Sequence, residues 1–284
     1  MKQPRRETIL LIGHGSRDDD GNQEVKALAA YWQSRHPQER VEVCFIELVE
    51  PLLAEGLRQA AAGSDRVIAL PLILNAAGHV KTDIPEAIRQ AQAAMPNVEF
   101  CHGRHLGGQE PILELLRKRL HGALVTLDLP DPHNTGVLLL SRGSSDRAAN
   151  ADVARMARWI FETTGHTLVD YAFTSITEPR LEGMVQRMVR LGMMQIIVLP
   201  YFLFTGCLIK RITRQVARLR TQYPHIAFAQ AGYLGIDDHL VAVLDQRLAQ
   251  IRQGETVLEC DGCKGSGAQR KFGTLLQTAR GLPW

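Results

Sequence analysis

The chain has 284 residues, 45% of them hydrophobic and 22% charged, enough for two cores of ordinary domain size and too apolar for a disordered chain. Its 33 basic residues against 30 acidic ones leave a net charge of +3, too balanced for the strongly basic footprint of a nucleic-acid binder, so an anionic partner must be recognised locally. The first apolar run covers only residues 9–12, far short of a signal core or a membrane span, and a soluble cytoplasmic protein is expected.

In chain order, apolar runs rich in β-branched residues at 8–12, 41–46, 66–74 and 98–101 predict strands, with amphipathic helical stretches between them. Near-continuous apolar strands alternating with helices imply a parallel sheet covered on both faces. Over 122–135 the residues Pro130, Asp131, Pro132, His133 and Asn134 break regular structure and predict a linker. The pattern then starts again, with strands expected at 136–140, 167–173, 195–202 and 226–229 and helices after each. The expected organisation is one α/β domain over 1–128, a second over 129–253, and a Gly-rich basic tail over 254–284.

The two halves are copies. Leu10-Leu11-Ile12-Gly13-His14-Gly15-Ser16 answers Leu138-Leu139-Leu140-Ser141-Arg142-Gly143-Ser144 at an offset of 128 residues. Glu50-Pro51 answers Glu178-Pro179, Leu70-Pro71 answers Leu199-Pro200 after a one-residue insertion, and Leu106-Gly107 answers Leu234-Gly235. Duplicated α/β units pack about a pseudo-two-fold axis, and differences between the copies show which was free to lose chemistry. At aligned positions His14 becomes Arg142, Glu47 becomes Ser175 and His79 becomes Leu208.

His14, Glu47 and His79 each follow a predicted strand, so all three fall on the edge of a parallel sheet where ligands bind. Two imidazoles and a carboxylate suit a borderline divalent ion such as cobalt, nickel, iron or zinc, and the same groups accept protons near neutral pH. No His-Glu-x-x-His protease signature is present. Ser16 stands near His14 but not on a nucleophile elbow, which speaks against a hydrolase. Gly13-His14-Gly15-Ser16 matches neither dinucleotide nor Walker phosphate loops, and its glycines are expected to let the backbone approach a flat ligand. His102 and His105, after the fourth strand, are placed at the cleft rim or the surface, and the lone Cys207 is assigned to packing.

These residues carry a resemblance. Gly13-His14-Gly15-Ser16-Arg17, Phe45-Ile46-Glu47 with Glu50-Pro51, and Leu70-Pro71-Leu72 followed by Gly78-His79 resemble the sirohydrochlorin chelatase family, the ATP-independent enzymes that insert cobalt, iron or nickel into a tetrapyrrole. The resemblance spans residues 8 to about 250 and is similar in plan to the long, two-domain cobaltochelatase form. It implies a chelatase-like α/β fold with two duplicated domains facing across a cleft, His14 and His79 on the metal, and Glu47 assisting at the pyrrole nitrogens. It also implies a tetrapyrrole rich in carboxylates, for which Arg17, Lys81, Arg142, Lys210 and Arg211 are the candidate cations. Long-form relatives carry a Met-x-Cys-x-x-Cys that holds an iron–sulfur cluster. Here Cys260 and Cys263 keep the cysteine pair while Leu258 replaces the methionine. One pair supplies only half the ligands of a cluster or a structural zinc site, so metal there predicts a homodimer.

Overall fold

A computed structural model describes residues 5–254. Cys260, Cys263 and the metal site expected of them lie outside the described residues. The first half runs β1 (Glu7–Gly13), α1 (Asp19–Arg35), β2 (Arg40–Phe45), α2 (Leu53–Ala61), β3 (Arg66–Pro71), a π-helical turn (His79–Asp83), α3 (Ile84–Ala94), β4 (Glu99–His102) and α4 (Glu110–Leu124). The second half repeats it as β5 (Thr135–Ser141), α5 (Arg147–Thr164), β6 (Leu168–Phe173), α6 (Leu181–Arg190), β7 (Gln195–Pro200), α7 (Cys207–Gln222), β8 (Ala227–Gln230) and α8 (Asp238–Arg252). Each half builds one four-stranded sheet, β2-β1-β3-β4 and β6-β5-β7-β8, with every pairing parallel. Among the described residues no helix is long and apolar enough to cross a membrane.

The predicted strands 66–74 and 195–202 stop early, at Pro71 and Pro200. The ladders explain this: β1 pairs with β3 only as far as Ile12↔Pro71, and β5 with β7 only as far as Leu140↔Pro200. Past those pairs only the N–H groups of Leu72 and Tyr201 still donate to the central strand, at the Ile12 and Leu140 carbonyls (2.8 Å each), before it enters its loop. The apolar residues past that point, Leu72, Leu74 and Leu203, are buried all the same.

Helix exchange joins the halves. On its outer face the first sheet packs Leu10, Ile12, Val67 and Ala69 against Leu53 and Leu57 of α2 and Ile84 and Ile88 of α3, and α6 and α7 cover the second sheet's outer face in the same way. Between the sheets lies one continuous core that takes residues from both halves. There α4 packs on β7 and β8 of the second sheet, while α8 packs on β3 of the first, and the two helices touch each other. Arg119 of α4 donates to the carbonyls of Tyr233 (2.9 Å) and Leu234 (2.5 Å); its mate Arg247 of α8 donates to those of His105 (2.9 Å) and Leu106 (2.6 Å). Trp32, fully buried, donates its indole N–H to Asp245 across the same seam at 2.7 Å. The predicted linker is shorter than expected, because α4 runs through Gly122 to Leu124 before the turns begin.

Candidate metal centre

β1, β2 and β3 end side by side, and the three residues expected there meet. One donor atom each from His14, Glu47 and His79 lies within 4.8 Å of the others. The imidazole rings stand edge to face with centroids 4.8 Å apart, and Glu47 Oε1 is 3.4 Å from His14 Nδ1. His79 sits at the start of the π-helical turn, where its Nδ1 hydrogen-bonds Asp83 Oδ2 at 2.6 Å. That carboxylate fixes the ring and leaves Nε2 for an ion, the usual outer support of a metal-ligating histidine. Asp83 escaped the sequence reading, although its spacing four residues after His79 on a helical turn was a usable signal. The degenerate half has no such turn: its counterpart of His79, Leu208, lies in the ordinary helix α7. Single π turns inside helices cluster at functional sites.

His14 is the most constrained member. Its Nε2 is buried with no hydrogen-bond partner, which is costly unless a ligand completes it. Desolvation first, then the neighbouring His79, hold its pKa below the ordinary 6.5; the Gly15 carbonyl and Glu47 oppose this, and Arg142 adds to it. A neutral imidazole with a lone pair and no protein partner is a ready metal ligand. Glu47 is exposed and accessible to solvent.

The glycines of this loop are required by the protein's own packing. Gly15 has φ +92°, and a Cβ there would lie 1.8 Å from the Glu47 carbonyl oxygen; a Cβ on Gly13 would lie 3.0 Å from the Phe45 ring. His14 and Glu47 are further tied by the Glu47 N–H donating to the His14 carbonyl at 3.1 Å. Gly143 repeats the feature against Ser175 at 2.5 Å in the half without chemistry, so close packing of these two loops is scaffold. Gly15→Ala is therefore expected to cost about 2–3 kcal/mol of stability and to displace Glu47, weakening Co²⁺ binding in the same protein. Gly63→Ala, at φ +76° with nothing nearby, should cost about 1 kcal/mol and leave Co²⁺ binding intact. Urea denaturation and a Co²⁺ titration of both variants check this.

The basic residues divide into two groups. Arg17, Arg142 and Arg211 are exposed. The Arg142 charge, from the opposite half, reaches His14 and helps to lower its pKa. Lys81 and Lys210, expected at the substrate, are engaged with carboxylates: Lys81 with Asp146 at 2.6 Å, and Lys210 with Asp18 at 2.7 Å and Asp20 at 2.8 Å. His102 and His105 are buried rather than at the rim, and His102 is pushed by desolvation down to about 4. Cys207, assigned to packing, is exposed. A cavity of about 490 Å³ lined by Glu114, Arg117, Lys118, His121, His166 and His239 shares no residue with this centre.

A family model described as CbiX matches residues 8–123 and again residues 136–251. The chain belongs to the CbiX family. Among CbiX relatives, the sirohydrochlorin cobaltochelatase of Priestia megaterium is 36% identical over 260 residues, covering 90% of this chain and 84% of the relative. The sirohydrochlorin ferrochelatase of the same organism is 31% identical over 244 residues, covering 85% and 89%. Of solved structures, SirB from Bacillus subtilis with Fe³⁺ superposes with a TM-score of 0.75 at 27% identity, covering 89% of this chain and all (100%) of that one. The two matched stretches are the two halves of the internal duplication, and the CbiX fold is the pair of helix-flanked parallel sheets described above.

Proposed function

We propose that this CbiX chain is a sirohydrochlorin cobaltochelatase, inserting Co²⁺ into sirohydrochlorin without ATP, with His14, Glu47 and His79 as the reacting set. The observation that carries the reading is the convergence of three metal-ligating donors, one of them a buried imidazole nitrogen without a partner, beside a cation from the facing half. The greater identity to a cobaltochelatase than to a ferrochelatase supports cobalt. Ligand chemistry alone does not choose, since both ions accept imidazole and carboxylate.

Insertion requires a hydrated ion to shed water while the macrocycle releases both N–H protons. His14 Nε2 and His79 Nε2 hold the incoming ion, and Asp83 keeps the second ring aimed. Glu47, next to His14 and open to solvent, accepts the pyrrole protons and passes them to water. No net charge is stranded on the macrocycle, because the two positive charges of the ion replace the two protons released. Arg142, with Arg17 and Arg211, pairs with the carboxylates of the substrate. Replacing Arg142 by Gln should raise the KM for sirohydrochlorin about tenfold with kcat within about twofold, the effect of one charge-assisted hydrogen bond; an unchanged KM would remove Arg142 from the substrate site.

Catalytic amounts of protein mixed with excess sirohydrochlorin and Co²⁺, followed by absorbance, test the function. Many turnovers are expected, and a single stoichiometric event would instead make the protein a tetrapyrrole or metal carrier. Faster turnover with Fe²⁺ than with Co²⁺ would favour the ferrochelatase reaction, which the second relative's name raises.

A further inference from the structure

Each histidine-bearing segment of the first half is tied to the second half through a lysine, Lys81 in one case and Lys210, which also reaches Asp20, in the other. The π-helical turn that starts at His79 carries Lys81, whose Nζ reaches Asp146 Oδ2 at 2.6 Å, both side chains largely sheltered at 21% and 25% exposure. The His14 loop continues to Ser16, whose Oγ accepts the Asp18 N–H at 3.0 Å. Asp18, only 11% exposed, lies 2.7 Å from Lys210 Nζ. These ties are mates under the duplication: Asp18 corresponds to Asp146 at the 128-residue offset, and Lys81 to Lys210 at 129. Their surroundings match as well, since the Asp146 N–H donates to Ser144 Oγ at 3.0 Å just as Asp18 does to Ser16. The backbones are close here too, with a Cβ on Gly21 falling 2.6 Å from the Thr205 carbonyl oxygen.

The second half has lost its own His, Glu, His set but has kept both members it contributes to these pairs. Exposed ion pairs are worth little; here Lys81, Asp146 and Asp18 are sheltered while Lys210 is half exposed at 51%, and both pairs run between halves and end on the two loops that carry the imidazoles. We propose that Asp146 and Lys210 are positioning residues for the metal centre of the first half, holding the His79 turn through Lys81 and the His14 loop through Asp18. The proposal rests on the chelatase reading of that centre. A donor set built on loops binds an ion tightly only if the loops are held before the ion arrives, because ordering them on binding is subtracted from the affinity. The His79 turn needs this most, since a π turn is intrinsically less favourable than the α-helix its counterpart adopts. On this account the second half acts as a brace.

The test uses the full-length protein and Co²⁺ alone, read by the visible absorption of the bound ion and by calorimetric affinity. Asp146→Asn keeps the cap of α5, where the aspartate accepts from the Ala148 N–H, because asparagine caps equally well, and it removes only the charge facing Lys81. Asp146→Asn and Lys210→Met are each expected to weaken Co²⁺ binding about five- to tenfold, the lower range for outer supports of a metal site, and to alter the Co²⁺ spectrum, with Tm within about 3 °C of wild type. Lys210→Arg should restore wild-type affinity. Affinity and spectrum within twofold of wild type in both charge-removing variants would overturn the proposal, as would losses that merely track a fall in Tm. Wild-type protein that takes up no Co²⁺ would overturn the chelatase reading itself, and the brace with it.

Discussion

A His14→Ala, His79→Ala variant is expected to lose Co²⁺ binding at the centre and at least about a hundredfold of its insertion rate, the range for removing a positioned acid–base or ligand group. The two rings stand 4.8 Å apart, and among the described residues no other set of three His, Cys, Asp or Glu brings its donors together in this way, so there is no described three-donor substitute to recruit. Because desolvation and His79 hold His14 below 6.5, a proton competes with the ion at this ring only at lower pH than at an ordinary imidazole. The acid limb of Co²⁺ binding in the wild type should thus lie below 6.5. Titrating Co²⁺ affinity against pH, and assaying the double variant with sirohydrochlorin, checks both; wild-type insertion by the double variant would end the assignment.

Cutting the chain at residue 128 should leave no stable monomer. The buried face of α4, Ile112, Leu113, Leu115, Leu116 and Leu120, packs on the second sheet, and the first sheet relies on α8 in return. Exposing five aliphatic side chains costs about 8–15 kcal/mol at about 1.5–3 kcal/mol each, as much as the whole stability of an ordinary domain. Two copies of the fragment can recover that burial by exchanging α4, with Arg119 of each donating to the His105 and Leu106 carbonyls of the other in place of Arg247. The fragment is therefore expected to elute as a dimer by size-exclusion chromatography with light scattering. A fragment that stays monomeric and melts cooperatively would contradict the helix exchange.

The eight strands were legible because a doubly covered parallel sheet needs unbroken apolar runs, and runs such as Thr8 to Ile12 in β1 have no other stable use. Their ends were less so: Leu72 and Leu203 are as apolar as the residues before them, and only the departure of β1 and β5 from the ladder sets the limits at Pro71 and Pro200. His14, Glu47 and His79 were legible from the contrast between the copies, which the sequence carries by itself. The function of Gly15 was not, since the Glu47 carbonyl that excludes a Cβ comes from another loop.

The repeat, the alternation of strand and helix, and the half that keeps the His, Glu, His set are legible in sequence alone, because these are local patterns and comparisons between aligned positions. Tertiary packing was needed to show that α4 and α8 trade sheets, that Lys81 and Lys210 face aspartates of the opposite half, and that the Arg142 charge reaches His14. Those facts depend on how two similar halves dock, and a helix with one apolar face fits either sheet equally well until the packing of the whole core selects one.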